Sequence, residues 1–263
     1  MNADPKLDRI YEAKDYQDGT QYTTQVCIIG SGCGGATLAK RLTDFGIDVI
    51  VLEQGGYYPA TKMDQRELNM AGKLYAEHGL SVASDNSTVL MSGNNIGGAS
   101  VHYWADSYRT PEDKLQSWED TYGMKGHTLA DLSPAFDAIE KSLNVHPASD
   151  QNFNTVNQKL HAASQSLNWH GHRVPQARKH CVGSGHCMQG CLYDAKQSQM
   201  ITHIPTAKNH HTKAVRLHSL ATLLDVLGAG LFCDRDAHQS SLPIAQPHPI
   251  TKVLLILFFC IDL

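Results

Sequence analysis

The sequence predicts an α/β fold: a parallel β-α-β unit near the start, with helical insertions behind it. Three observations carry this expectation. A short β-branched run, "VCII", stops at a cluster of glycines. A stretch of helical period comes next and leads into a second apolar run that ends on an acid. Farther on, two proline-bearing starts, "TPED" and "LSPA", open segments with a period of about 3.6.

The chain has 263 residues, enough for one large or two modest domains with a sizeable core. Hydrophobic residues make up 41% and charged residues 18%, which is usual for a globular protein in water. A formal net charge of −4 without a basic run gives no footing for nucleic acid. The polar N-terminus lacks the apolar stretch of a signal peptide. The longest apolar run, residues 253–261, is shorter than the about 20 residues that a spanning helix needs. These features predict a cytoplasmic protein with no transmembrane segment. In that reducing setting the seven cysteines read as thiols or ligands rather than as a disulfide framework.

The first strand is "VCII", residues 26–29, a run suited to a buried parallel sheet. Gly30, Gly32 and Gly35 succeed it in the order G-x-G-x-x-G: one for the tight turn, one for close approach to a pyrophosphate, one for helix–strand packing. Ala36, Leu38, Ala39, Leu42 and Phe45 give the next helix its apolar face, and Gly46 closes it. Residues 48–52 form the second strand, with Glu53 at its end, 18 residues past Gly35. A helix N-terminus offers N–H donors and the positive end of its dipole to phosphates. A carboxylate at the position of Glu53 accepts hydrogen bonds from the adenosine ribose and repels a 2′-phosphate, which argues against NADP. Ser31, inside the turn, and Gly55, just past the acid, are counted with the cofactor-binding residues.

Such a unit serves NAD and FAD alike. The chain beyond Gly56 favours FAD. It is irregular for roughly 40 residues, with a hairpin around Asp85 and Asn86, instead of running on through βα units. A second glycine segment, "SGNNIGGASVHYWADSYRTPED", comes next. A third distinctive block is "CVGSGHCMQGCLYDAKQSQMITHIP", residues 181–205.

In order and spacing these three blocks resemble the glucose–methanol–choline (GMC) oxidoreductase family, over residues 24–205. The resemblance implies a Rossmann-like FAD-binding domain of GMC type and a hydride taken from a CH–OH carbon to flavin N5. It also implies a small-molecule alcohol or sugar as substrate, and an electron-acceptor subunit as a candidate partner. In that family the second block lies along the flavin. Gly97 and Gly98 would let the backbone pass close to it, and Ser100 would donate to a flavin edge or phosphate. His102 has three readings open to it: a covalent bond to the flavin 8α-methyl carbon, as in some members; a noncovalent contact; or no link to the flavin. Asn94 and Asn95 read as turn residues, and Tyr103 and Trp104 as packing residues.

The middle of the chain reads as helical. Thr110 is expected as an N-cap with Pro111 at N1. Ser133 is expected as a second cap, with Pro134 opening a helix whose face is Leu132, Phe136, Ile139 and Leu143. Residues 157–167 form another amphipathic helix. Cys181, Cys187 and Cys191, spaced C-x5-C-x3-C, leave three readings: an iron–sulfur cluster, as in sugar dehydrogenases related to this family; a zinc site with His180 or His186; or a loop of free thiols. Lys196 has two readings, an approach to substrate or flavin and, by default, an exposed ion pair; "QMITHIP" reads as a strand.

The division expected is an N-terminal extension (1–23), the FAD-binding region (24–110), a helical and cysteine-loop region (111–205) and an atypical tail (206–263). The tail has no Glu, Trp or Tyr and shows no strand crossing back into the sheet. It reads as truncated, frameshifted or otherwise non-homologous sequence, which leaves the substrate domain incomplete. In the family a late histidine takes the alcohol proton. His210, His211, His218, His238 and His248 match no such motif, so no catalytic residue is assigned. The rival readings are an inactive flavin-binding fragment, an NAD-dependent dehydrogenase and an electron-transfer module built on the cysteines.

Overall fold

The computed structural model describes residues 10–12, 24–208, 213–216 and 254–257. Its centre is the predicted β-α-β unit. Strand β2 (Val26–Ile29) leads into helix α1 (Cys33–Asp44), which returns the chain to β3 (Val49–Glu53). β2 and β3 pair in parallel, with Val26 opposite Val49 and Ile29 opposite Leu52. Every residue of β3 is buried, as expected for a strand covered on both faces. Val26, Ile28, Val49 and Val51 pack against Ala39 of α1 and Ala207 of a late helix, α6 (His203–Lys208). The predicted apolar face of α1 holds at Ala36 and Ala39, both fully buried. Phe45 departs from it. This residue is 71% exposed, because the helix ends at Asp44 and the C-cap turn carries the ring outward, with the Arg41 guanidinium 5.4 Å above it.

Three more strands complete a five-stranded parallel sheet in the order β1-β8-β3-β2-β9. They are β1 (Ile10–Tyr11), β8 (Lys213–Arg216) and β9 (Leu254–Leu257). Two expectations need correction here. Part of the N-terminal extension belongs to the sheet, and β8 runs beside β3 although no crossing strand is legible after Pro205. The five late histidines lie outside the described residues.

Between β3 and the second glycine segment lies helix α2 (Glu67–Leu74) and the expected hairpin, β4 (Ser81–Val82) with β5 (Val89–Leu90). Asn86 at its tip has φ +59°, and Asp85 accepts from the Ser87 amide at 3.0 Å. A second core lies beneath this layer: Met63, Met70, Leu74, Tyr75, Ile96, Val101, Met200 and Ile204, with Ala36 from α1.

The helical region consists of α3 (Glu112–Tyr122), α4 (Leu129–Ser142) and α5 (Thr155–Ser166), with a short ladder of β6 (Val145–Pro147) and β7 (Pro175–Ala177). Two helix starts differ from expectation. α3 has Pro111, not Thr110, as its N-cap. α4 begins a turn and more before Ser133. Thr128 is the cap, its hydroxyl accepting from the Asp131 amide, while the Asp131 carboxylate accepts from the Thr128 amide. Pro134 therefore sits inside the helix, and the Ser133 hydroxyl bonds back to the Leu129 carbonyl at 2.7 Å. "QMITHIP" is a turn followed by α6 rather than a strand. His203 anchors that helix, with Nδ1 3.2 Å from Thr37 Oγ1 of α1 and Nε2 3.0 Å from Ser142 Oγ of α4. Among the described residues no helix is long and apolar enough to cross a membrane.

Candidate functional site

The glycine turn and the second glycine segment meet through one buried serine. The Ser31 amide and hydroxyl both donate to Glu53 Oε2, at 2.8 and 2.7 Å. The same hydroxyl accepts from the Gly97 amide at 3.0 Å. Glu53 Oε1 accepts from the Gly55 amide at 2.8 Å. A three-link chain thus joins the end of β2, the end of β3 and the segment at residues 93–102. Glu53 is 7% exposed and Ser31 1%, so these are bonds in a poorly hydrated place and strong for that reason. The Gly30 amide closes the turn on the Leu52 carbonyl at 2.7 Å.

Two glycines explain why the segments fit together. A methyl group on Gly35 would stand 2.0 Å from the Gly30 carbonyl oxygen, so α1 packs on the turn only because that group is missing. A methyl group on Gly98 would stand 2.8 Å from Gly32 Cα, so the second segment crosses the first where both are bare. The N-terminus of α1, beginning at the Gly32 cap, has no side-chain cap bond and no acid in its first turn, and both Cys33 and Gly34 are exposed. That is the arrangement a diphosphate requires: helix amides without a competing anion.

Farther along, Ser100 serves the protein itself. Its hydroxyl donates to the Gly97 carbonyl at 2.6 Å and accepts from the Gln199 amide at 2.9 Å. His102 is 3% exposed, and its ring lies against that of Tyr75, centroids 3.8 Å apart at 58°. Its Nε2 is buried without a hydrogen-bond partner among the described residues. Burial, helped by the positive charge of Lys196, pushes the imidazole down to about 4. Asn95 opens a turn as expected, its carbonyl accepting from the Gly98 amide at 2.9 Å, and it is also buried. Its side-chain amide donates to the Leu74 carbonyl at 2.7 Å, and its Oδ1 has no partner among the described residues. The positive φ values fall on Gly97 and Gly98. All ten residues of the expected cofactor set therefore belong to one continuous group: Gly30, Ser31, Gly32, Gly35, Glu53, Gly55, Gly97, Gly98, Ser100 and His102. An uncapped helix start, a buried carboxylate and orphaned polar atoms on His102 and Asn95 fit a bound dinucleotide.

Lys196 corrects the sequence reading most sharply. It is 3% exposed, not at the surface. Its ammonium donates to the Val101 carbonyl at 2.8 Å and to the Cys187 carbonyl, and stands 5.7 Å from the centre of the Tyr103 ring. Burial lowers it to about 8. Tyr75 was missed altogether; a lone tyrosine at the end of an amphipathic helix gives no signal of its own. The three loop cysteines go their own ways. Cys191 Sγ accepts from the Lys196 amide at 3.4 Å, and Cys181 Sγ lies 3.7 Å from an Arg178 nitrogen. Among the described residues no group of three His, Cys, Asp or Glu side chains is placed to hold a metal ion.

Comparison with known proteins bears on the second glycine segment and the chain around it. Residues 71–224 match the GMC oxidoreductase family. A long-chain-alcohol oxidase, FAO3, of Arabidopsis thaliana is 26% identical over 194 residues, covering 73% of this chain and 26% of the relative. The 6'''-hydroxyparomomycin C oxidase of Streptomyces lividus is 29% identical over 217 residues, covering 74% of this chain and 38% of its own. Among solved structures, pyridoxine 4-oxidase from Mesorbium loti aligns over 55% of this chain and 32% of that one, with a TM-score of 0.41 and 22% identity. The chain thus spans about a quarter of the length of the plant oxidase. Because the family match takes in more than half of the 263 residues and includes the second glycine segment that closes on Ser31, this chain belongs to the GMC oxidoreductase family.

Proposed function

We propose that this chain is the FAD-holding part of an oxidoreductase acting on CH–OH donors. The observation that carries the reading is the buried chain from Gly97 through Ser31 to Glu53, which fastens the second glycine segment to the end of the β-α-β unit. In this reading Gly30, Gly32, Gly35 and the α1 N-terminus hold the diphosphate. Glu53 accepts from the adenosine ribose on lone pairs left by Ser31 and Gly55. Gly97, Gly98, Ser100 and His102 line the flavin, with His102 at the dimethylbenzene edge. FAD, when bound, supplies the hydride acceptor for the alcohol carbon. The chain's own part is to bind, to orient and to exclude water. A small alcohol or sugar is the substrate class, supported by family membership and by the alcohol oxidase likeness.

A second reading is a flavin-binding fragment without turnover. Two measurements on the purified chain decide. Oxidised-flavin absorbance that is lost in Glu53→Ala supports the cofactor assignment; a colourless chain that binds NADH overturns it. Reduction of that flavin by an alcohol or sugar supports the full activity, and bound flavin that no such donor reduces favours the fragment.

A further inference from the structure

We propose that Lys196 is a positioning residue for His102: it ties the Val101–His102 backbone to the Cys187–Gln189 turn and holds the imidazole in one orientation and in its uncharged form. The proposal rests on the reading above, in which the second glycine segment runs along the flavin.

A lysine buried to 3% exposure is costly unless its donors are used. Here they are spent on two backbone carbonyls that come from different parts of the chain. One, Val101, is bonded directly to His102. The other, Cys187, opens a three-residue turn, Cys187–Gln189. The Tyr75 ring that lies against the imidazole has the same anchor, for the Tyr75 hydroxyl donates to the Met188 carbonyl at 2.8 Å. The Tyr75 ring that lies against His102 and the Val101 carbonyl that precedes it are thus both fastened to one turn. Among the described residues Lys196 makes no salt bridge, so its charge is not consumed by a carboxylate.

The titratable groups around the pair are few. Tyr75 faces His102 from the end of α2. Cys187 and Cys191 face Lys196 from the cysteine loop and Arg178 from the end of β7, while Tyr103 lies under its ammonium. Lys196 is the charge that acts on His102. Burial first, and the Lys196 charge after it, disfavour a protonated imidazole, so the ring keeps a lone pair. A neutral ring with a free nitrogen is what contact with, or attachment to, an electrophilic ring edge requires. A protonated one has only donors.

The test is a nitrogen NMR titration of the full 263-residue chain with labelled histidine, the His102 signal being assigned by its loss in His102→Gln. Flavin content is read by absorbance on the same samples. In the unsubstituted chain His102 stays uncharged above about pH 5, and Lys196→Arg preserves this. Lys196→Gln keeps a donor but removes the charge, and raises the His102 midpoint by about one pH unit, with altered ring shifts. If Lys196→Gln matches the parent in midpoint and shifts, the proposal is overturned whatever the flavin content. If the variant does not fold, the parent decides: cross-relaxation between the Lys196 ε-methylene and the His102 ring supports the placement, and its absence overturns it. A chain without flavin that still shows the His102 shift supports the lysine–histidine coupling while overturning the FAD reading.

Discussion

The glycine-turn region and the helical region are built on opposite plans. Around the turn, side chains and backbone close on each other: Ser31 serves Glu53 and Gly97 together, and Gly35 and Gly98 pass neighbours at distances that exclude even a methyl group. Among α3, α4 and α5 the one buried helix residue is Leu115. Apolar side chains there face outward instead: Tyr122 is 74% exposed, Leu160 65% and Trp169 68%. Caps and ion pairs hold these helices: the Thr128–Asp131 capping box, the Asn154 cap on the Asn157 amide, and Arg109 with Glu140 and Asp137. One region draws its stability from close tertiary fit, the other from helix ends and surface ion pairs. Mutations should therefore be severe in the first and mild in the second.

The largest effect is expected for Gly35→Ala. The added carbon meets a backbone oxygen that cannot yield, so a cost of about 4 kcal/mol, or failure to fold, should appear in chemical denaturation. A loss below about 1 kcal/mol would erase the contrast. Glu53→Ala comes next. It strands the Ser31 and Gly55 donors, at about 3 kcal/mol, and should abolish flavin retention on gel filtration.

Acid should discriminate between the regions as well. His102 binds its proton near pH 4 when folded, against 6.5 for the ordinary group. Between those values the unfolded chain holds more protons, so stability falls as pH drops from 6.5 to 4 and is level below. A loss of about 2 kcal/mol is expected from urea midpoints across that window, with His102→Gln flattening it. Lys196 extends the same sign to the alkaline side. Its lowered value, about 8, means stability rises as pH climbs from there toward 10.5. The smallest effect is in the helical region: Thr128→Ala should cost about 1 kcal/mol and leave flavin content unchanged.

Legibility in the sequence divides along the same line. The β-α-β unit is written locally, with glycine spacing, helical period and terminal acid all within residues 26–53, and each found its place. Lys196 was not legible because its partners are the Cys187 and Val101 carbonyls, 9 and 95 residues away. Residues 199–205 carry isoleucine and threonine and suggest a strand, yet packing on α1 through His203 and Ala207 makes a helix of their end. Ser133-Pro134 resembled a helix start because its chemistry suits one, but the stronger reciprocal cap at Thr128 begins the helix earlier.

The order of strands in the sheet carries a consequence for synthesis. The central pair, β2 and β3, leaves the ribosome early, but its flanking neighbours, β9 and β8, come much later in the chain. Through most of that interval both outer edges of the pair lack their hydrogen-bond mates, and closing such distant contacts is slow. The nascent chain waits in a sticky half-built state, so supply of a chaperone, or of free cofactor during elongation, should raise the yield of soluble product.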